Sequence, residues 1–278
     1  AGGVSAFLMD IETGTLLRQF CCHAEQVTAA AISPDGLLLL TGSRDDTAKL
    51  WNIATGEEIL TFSGHINTVE SVAFSPDGTQ ILTGSRDDTA KLWNVATGAE
   101  IRNFSHAYDV VSVAFSATGA QVLTGSYKTA RLWDAETGEP IQTFPHLADV
   151  NTAKFSPDGA RIITGSDERN AILWDATTGE VIRIFRGHSN DVVSVAFSPD
   201  GTRILTGSLD DTAKLWDTAT GENIQTFSGH TDDIIINSVA FSPLGGQVLT
   251  GTGGFDNSAK LYDAATGSVL STFTLGHT

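Results

Sequence analysis

SGHINTVESVAFSPDGTQILTGSRDDTAKLWNVATGAEIRNF, residues 63–104, carries the plan of the whole 278-residue chain. Four short runs in it, Val69–Ser75, Gln80–Ser85, Thr89–Asn94 and Glu100–Phe104, are rich in Val, Ile, Thr, Phe and Trp and read as strands. Turn chemistry separates them. Ser75-Pro76-Asp77-Gly78 combines a proline that fixes φ with a glycine for the left-handed position. Arg86-Asp87-Asp88 is a tight polar corner, and Ala96-Thr97-Gly98 is a second turn closed by glycine. The four strands predict one small antiparallel sheet. Such a sheet cannot bury both faces alone, and radial stacking of several copies solves that.

The copies are present. LTGSRDDTAKLWN occurs identically at residues 40–52 and 82–94. The Ser-Pro-Asp-Gly turn returns at Ser33–Gly36, Ser156–Gly159 and Ser198–Gly201, and decays to Ser116–Gly119 and Ser242–Gly245. All five tryptophans, Trp51, Trp93, Trp133, Trp174 and Trp216, hold one position, with Tyr262 in the sixth copy. All seven histidines, His23, His65, His106, His146, His188, His230 and His277, fall once per period of about 40 to 47 residues. A histidine reused in every repeat is a structural part, and it leaves none over for separate chemistry.

Gly-His opening a unit and Leu-Trp-Asp/Asn closing its third strand resemble the WD40 (β-transducin) repeat, over essentially the whole chain. The resemblance implies an all-β propeller with seven blades of four antiparallel strands. It also implies a hydrogen-bonded network inside each blade, joining His, a strand-two Ser or Thr, a corner Asp and the Trp. In the second copy that set is His65, Ser85 or Thr83, Asp87 and Trp93; in the first, His23, Ser43, Asp45 and Trp51; in the fifth, His188, Ser208, Asp210 and Trp216. The chemistry is coherent, since indole only donates, imidazole relays and carboxylate terminates the chain. The third copy, Gly125-Ser126-Tyr127-Lys128-Thr129, is one residue short and has no corner Asp, and the fourth has Glu168 there. The sixth is longer at Asp232–Ile236 and at Gly253-Gly254-Phe255.

Third and fourth strands recur seven times if Ala6–Asp10 and Thr15–Phe20 are counted, but first and second strands only six times. The expected organisation is one propeller over 1–278. Residues 1–20 form the second half of a closing blade, with Met9 at the Trp position. Six repeats follow at 21–62, 63–104, 105–144, 145–185, 186–227 and 228–273, and 274–278 begin the closing repeat. On this expectation the residues completing that blade precede Ala1 in a parent protein.

Composition narrows the function. Sixteen basic against 33 acidic residues give a net charge of −17, which argues against a nucleic-acid surface and favours partners with basic segments. No run is long and apolar enough for a membrane helix. Adjacent Cys21 and Cys22 provide no disulfide framework, so nothing requires an oxidising compartment, and a cytoplasmic location is the expectation. Ser, His and Asp recur in most blades without a nucleophile elbow, which excludes a hydrolase triad. The Asp-Asp corners lack the spacing of a calcium loop, and Cys22 with His23 lacks a second pair for zinc, so no metal or cofactor is expected.

What the resemblance leaves is partner docking on the narrow face around a central channel. The residues there flank strand one and the second-to-third strand corner. They are Gln26, Thr28 and Arg44; Thr68, Glu70 and Arg86; Asp109, Val111 and Tyr127; Asp149, Asn151 and Asp167; Asp191, Val193 and Leu209; and Ile235, Asn237 and Phe255. They vary between copies while the frame stays constant. The expected function is a non-catalytic, monomeric scaffold for a protein or peptide. The alternative is a propeller enzyme or small-ligand binder using the acidic sector from Asp109 to Asp191.

Overall fold

The computed structural model describes residues 5–230, 235–252 and 258–274, and every regular element among them is a strand. A two-stranded sheet, β1 (Ala6–Met9) and β2 (Leu16–Phe20), comes first. Six four-stranded antiparallel sheets follow. Blade 1 is β3 (Val27–Ile32), β4 (Leu38–Ser43), β5 (Thr47–Asn52) and β6 (Glu58–Ser63), and blade 2 is β7 (Val69–Phe74), β8 (Gln80–Ser85), β9 (Thr89–Asn94) and β10 (Glu100–Ser105). Blade 3 is β11 (Val110–Phe115), β12 (Gln121–Ser126), β13 (Thr129–Asp134) and β14 (Pro140–Pro145), and blade 4 is β15 (Val150–Phe155), β16 (Arg161–Ser166), β17 (Asn170–Asp175) and β18 (Val181–Arg186). Blade 5 is β19 (Val192–Phe197), β20 (Arg203–Ser208), β21 (Ala213–Asp217) and β22 (Asn223–Phe227), and blade 6 is β23 (Ile236–Phe241), β24 (Gln247–Thr252), β25 (Ser258–Asp263) and β26 (Val269–Thr274).

Among the described residues the complete blades number six, where the resemblance implies seven with the closing one incomplete in this chain. The difference lies in β1 and β2, which have no first and second strands beside them among the described residues. Their register nevertheless matches an outer half-blade. Met9 pairs Leu16 after an irregularity at Leu8/Met9, as Trp51 pairs Glu58 after one at Leu50/Trp51.

The turns form for local reasons. In blade 2 the Ser75 hydroxyl donates to Asp77 Oδ1 at 2.6 Å, and the same oxygen accepts the Thr79 amide at 3.0 Å. Gly78, at φ +70°, closes the turn. Corners between second and third strands place Asp46, Asp88 and Asp211 at φ of +66°, +64° and +66°, which aspartate tolerates better than most residues.

The chain divides into two compact units, Ala1–Thr143 and Phe144–Thr278. In each, the core lies between successive blades. In the first, Leu40, Leu50 and Phe62 of blade 1 pack with Val69, Val72, Ile81 and Trp93 of blade 2, and Leu82, Leu92 and Phe104 pack with Val110, Val113, Val122 and Trp133 of blade 3. The second repeats this with Ile163, Leu173 and Phe185 against Val192, Ile204 and Trp216. Burying each phenylalanine contributes about 1.5–3 kcal/mol. A strand-two glycine permits the approach: a Cβ on Gly84 would lie 2.8 Å from Val113 Cγ1 and 2.9 Å from the Val110 carbonyl oxygen.

At the outer end, arginines on three of the fourth strands clasp the next blade. Arg102 Nη1 donates to the Thr137 carbonyl and Arg183 Nη1 to the Thr220 carbonyl, at 2.9 and 2.8 Å, and Arg18 does the same to Thr55 at 2.9 Å.

Candidate interaction surface

In blades 1, 2 and 5 the corner is hydrogen-bonded from below. In blade 2 the Trp93 indole donates to Thr83 Oγ1 at 2.9 Å, His65 Nε2 meets the same hydroxyl at 2.7 Å, and His65 Nδ1 meets Asp87 Oδ2 at 2.8 Å. Burial holds His65 below its ordinary pKa despite Asp87, so the ring is neutral. A single proton order then satisfies every group: indole to threonine, threonine to Nε2, and Nδ1–H to carboxylate. Burial alone would raise Asp87, but hydrogen bonds from Thr89, His65 and the Ile66 amide together hold its carboxyl below the usual range. Blades 1 and 5 repeat the arrangement through His23, Thr41, Asp45 and Trp51, and through His188, Thr206, Asp210 and Trp216.

Threonine, not serine, bridges His and Trp. Thr83 and Ser85 share one face of β8, and Ser85, at its end, reaches the loop instead. Its hydroxyl donates to the Asn67 carbonyl at 2.9 Å and accepts the Asp87 amide at 3.1 Å. Ser43 and Ser208 do the same work for Asp45 and Asp210.

Blades 3 and 4 lose half of this network. Trp133 and Trp174 still donate to Thr124 and Thr164, both at 2.8 Å, but neither ring nitrogen of His106 is hydrogen-bonded. His146 keeps a loose approach to Glu168, at 3.4 Å. The cause is one absent residue. Gly64 and Gly187 precede their histidines at φ +155° and +146°, whereas Ser105 and Pro145 precede His106 and His146 without a glycine between. The shorter link draws each imidazole to 5.3 Å from its indole, against 6.1 Å in blade 2. Burial, with the Arg131 charge, pushes His106 down to about 4.

The sequence-derived residues meet in pairs above this frame. In four blades a backbone bond ties the corner to the residue before strand one: the Arg44 amide to the Gln26 carbonyl at 2.9 Å, Arg86 to Thr68 at 3.0 Å, Asp167 to Asp149 at 3.1 Å and Leu209 to Asp191 at 3.0 Å. In the first unit Arg44 and Gln26 are exposed, Arg86 pairs with Glu70, and half-buried Asp109 and Val111 flank exposed Tyr127. Thr28 is committed elsewhere, since its hydroxyl donates to the Val69 carbonyl of the next blade. Tyr127 packs against Tyr108 with the rings tilted by 44° and centroids 4.4 Å apart, and Lys128 Nζ lies 5.0 Å from its ring.

In the second unit Asn151 donates to Asp167 Oδ1 at 2.8 Å and to the Val192 carbonyl at 3.2 Å, so it pins two blades. Burial, and then the nearby Asp167 carboxylate, raise Asp191. Leu209 and Val193 are half-buried, while Ile235 and Asn237 are exposed. Phe255 lies outside the described residues, as does the start of the 232–236 insertion. Among the described residues no group of three His, Cys, Asp or Glu side chains could hold a metal ion.

Tyr108 was not among the sequence-derived residues. Its column reads Glu25, Asn67, Tyr108, Ala148 and Asn190, and the two asparagines donate to the corner carbonyls of Arg86 and Leu209 at 3.3 and 3.2 Å. A tyrosine replacing that capping asparagine is the signal that could have found it.

The WD domain, G-beta repeat, family model matches six successive segments, residues 14–52, 56–94, 98–134, 138–175, 179–217 and 221–263. No curated protein matches the chain. The repeated blade, its His–Thr–Trp core and these six matches place the chain in the WD40 β-propeller family.

Proposed function

We propose that the chain is a non-catalytic scaffold that binds a protein or peptide through the corner ends of its blades, on the narrow face. The observation that carries this is the exposed, tilted Tyr108–Tyr127 pair, with Lys128 over one ring. Tyrosines and arginines are the residues that anchor partner chains, because they bring large area and a polar end at low entropic cost. Here the Ser126 hydroxyl, at the end of the second strand, donates to the Tyr108 carbonyl at 3.1 Å and ties the two sides of the corner together. The net charge of −17 favours a partner with basic segments. WD40 propellers are commonly protein-interaction scaffolds and are typically non-enzymatic, which fits His23, His65 and His188 being bound into the blade networks. The same reading takes residues 1–278 as one propeller acting as a monomer, with β1 and β2 as the outer half of a seventh blade.

Affinity capture with mass spectrometry, comparing the wild type with an Arg44→Glu, Arg86→Glu, Tyr127→Ala triple variant, tests this. The three residues are exposed, so the variant is expected to fold. Partners captured by the wild type and lost by the variant support the corner face. Equal capture by both sinks it.

A further inference from the structure

The link from β2 into blade 1 carries both cysteines of the chain, Cys21 and Cys22. Their thiols are free and exposed. The opening belongs to the link itself. At the matching positions the complete blades 2, 5 and 6 also expose Ser63 and Gly64, Arg186 and Gly187, and Ser228 and Gly229. What differs is the second residue. Those three blades place glycine there, at φ +155°, +146° and +114°, whereas Cys22 holds φ +93° with a β-carbon. A side chain kept at such a φ is strained, and outliers of this kind collect where ligands are held. Successive side chains on an extended strand point to opposite sides. The turned backbone at Cys22 breaks that alternation, and the two thiols hydrogen-bond to one another. That bond, ahead of desolvation and the Cys21 charge, raises the Cys22 pKa, so one sulfur ionises while its neighbour keeps a proton.

Donor number and charge define the guest. Thiolates select soft, thiophilic centres. Among the described residues no group of three His, Cys, Asp or Glu forms, so the link satisfies neither a four-coordinate zinc nor a three-thiolate arsenite. Beside Cys22 stands the Lys49–Glu58 ion pair, at 2.6 Å, whose two charges act on the thiol in opposite senses. A compensated pair of this kind suits an uncharged guest. We infer that Cys21 and Cys22 form a two-sulfur site for a monosubstituted trivalent arsenical, R–As(OH)2. Two As–S bonds form and both As–O bonds break. Each thiol proton leaves with a hydroxyl as water, and arsenic keeps its oxidation state. The first As–S bond makes the second intramolecular, which raises its effective concentration. A disulfide between adjacent residues is strained, and an arsenic bridge lengthens the ring by one atom. This site is separate from the Tyr108–Tyr127 corner and does not depend on the reading given for it.

Phenylarsine oxide, titrated into the reduced full chain, is the probe. The expected result is one phenylarsenic per chain by intact mass, with both thiols lost to a thiol-reactive dye and the adduct mapped to the peptide containing residues 21 and 22. Ethanedithiol should strip it, and glutathione at the same thiol concentration should not. Cys21→Ser and, separately, Cys22→Gly should each weaken retention at least tenfold. Both positions are exposed, so unchanged tryptophan fluorescence checks the fold of each variant. Absence of an adduct, loss of only one thiol, or retention by either variant equal to the wild type would each overturn the proposal. Removal by glutathione as readily as by ethanedithiol, or one arsenic bridging two chains, would also overturn it.

Discussion

Replacing Thr83 by valine keeps shape and removes one hydroxyl. That hydroxyl accepts from the Trp93 indole at 2.9 Å and meets His65 Nε2 at 2.7 Å, in a site with no solvent exposure. The variant leaves two buried polar groups without partners. At about 1–3 kcal/mol for each, the expected loss is about 2–6 kcal/mol. In blade 3 Thr124 is equally buried and accepts from Trp133 at 2.8 Å, but His106 does not reach it. Thr124→Val therefore orphans only the indole and should cost about 1–3 kcal/mol. Both sites lie in the first compact unit, so the comparison is not confounded by which unit unfolds first. Guanidinium unfolding at pH 7.5, followed by tryptophan fluorescence, reads the difference directly. Thr83→Val should exceed Thr124→Val by about 1–3 kcal/mol, the cost of one extra unpaired group. Equal losses, or a larger loss in blade 3, would refute the assignment of threonine as the two-way bridge and of His106 as detached.

Three further outcomes follow from the same geometry. His106 is depressed to about 4 in the folded chain, so the unfolded chain takes up the proton first. Stability should fall as pH drops from about 6.5 towards 4, by roughly 3 kcal/mol from this residue, and His106→Gln should flatten that part of a pH–Tm profile. Cys22 holds φ +93° where blades 2, 5 and 6 place Gly64, Gly187 and Gly229, so Cys22→Gly should raise stability by about 1 kcal/mol in calorimetry. Gly84→Ala should lower it by about 1–3 kcal/mol in guanidinium unfolding, because the new methyl meets Val113 and the Val110 backbone.

Strands and turns were legible because their causes are local. Ser75–Gly78 closes its own hydrogen bonds, and the strand bounds Gln80–Ser85 and Thr89–Asn94 read from the sequence are those of β8 and β9. The β1–β2 pair was legible by counting strands, and the partial exposure of β3 was not, since burial depends on which strands lie against it. The Ser or Thr ambiguity at positions 83 and 85 survived because both point to one face two residues apart. The missing glycine before His106 and His146 is visible as spacing, but its effect on the imidazole needs three dimensions. Tyr108 and Tyr127 come together only once the corner folds across strand one, so no local pattern joins them. Single-chain variation marks the corner columns as the place where side chains differ; which of them reach solvent was decided by packing, as Thr28 and Asn151 show.

The central claim is that partners sit on the corner face. A photo-crosslinking amino acid placed at position 127, and separately at exposed Ile224 on the outer strand β22, tests it most directly. Partners captured by the wild type should crosslink from position 127 and not from position 224. Crosslinking from 224 alone would contradict the account and move the binding surface to the outer edge.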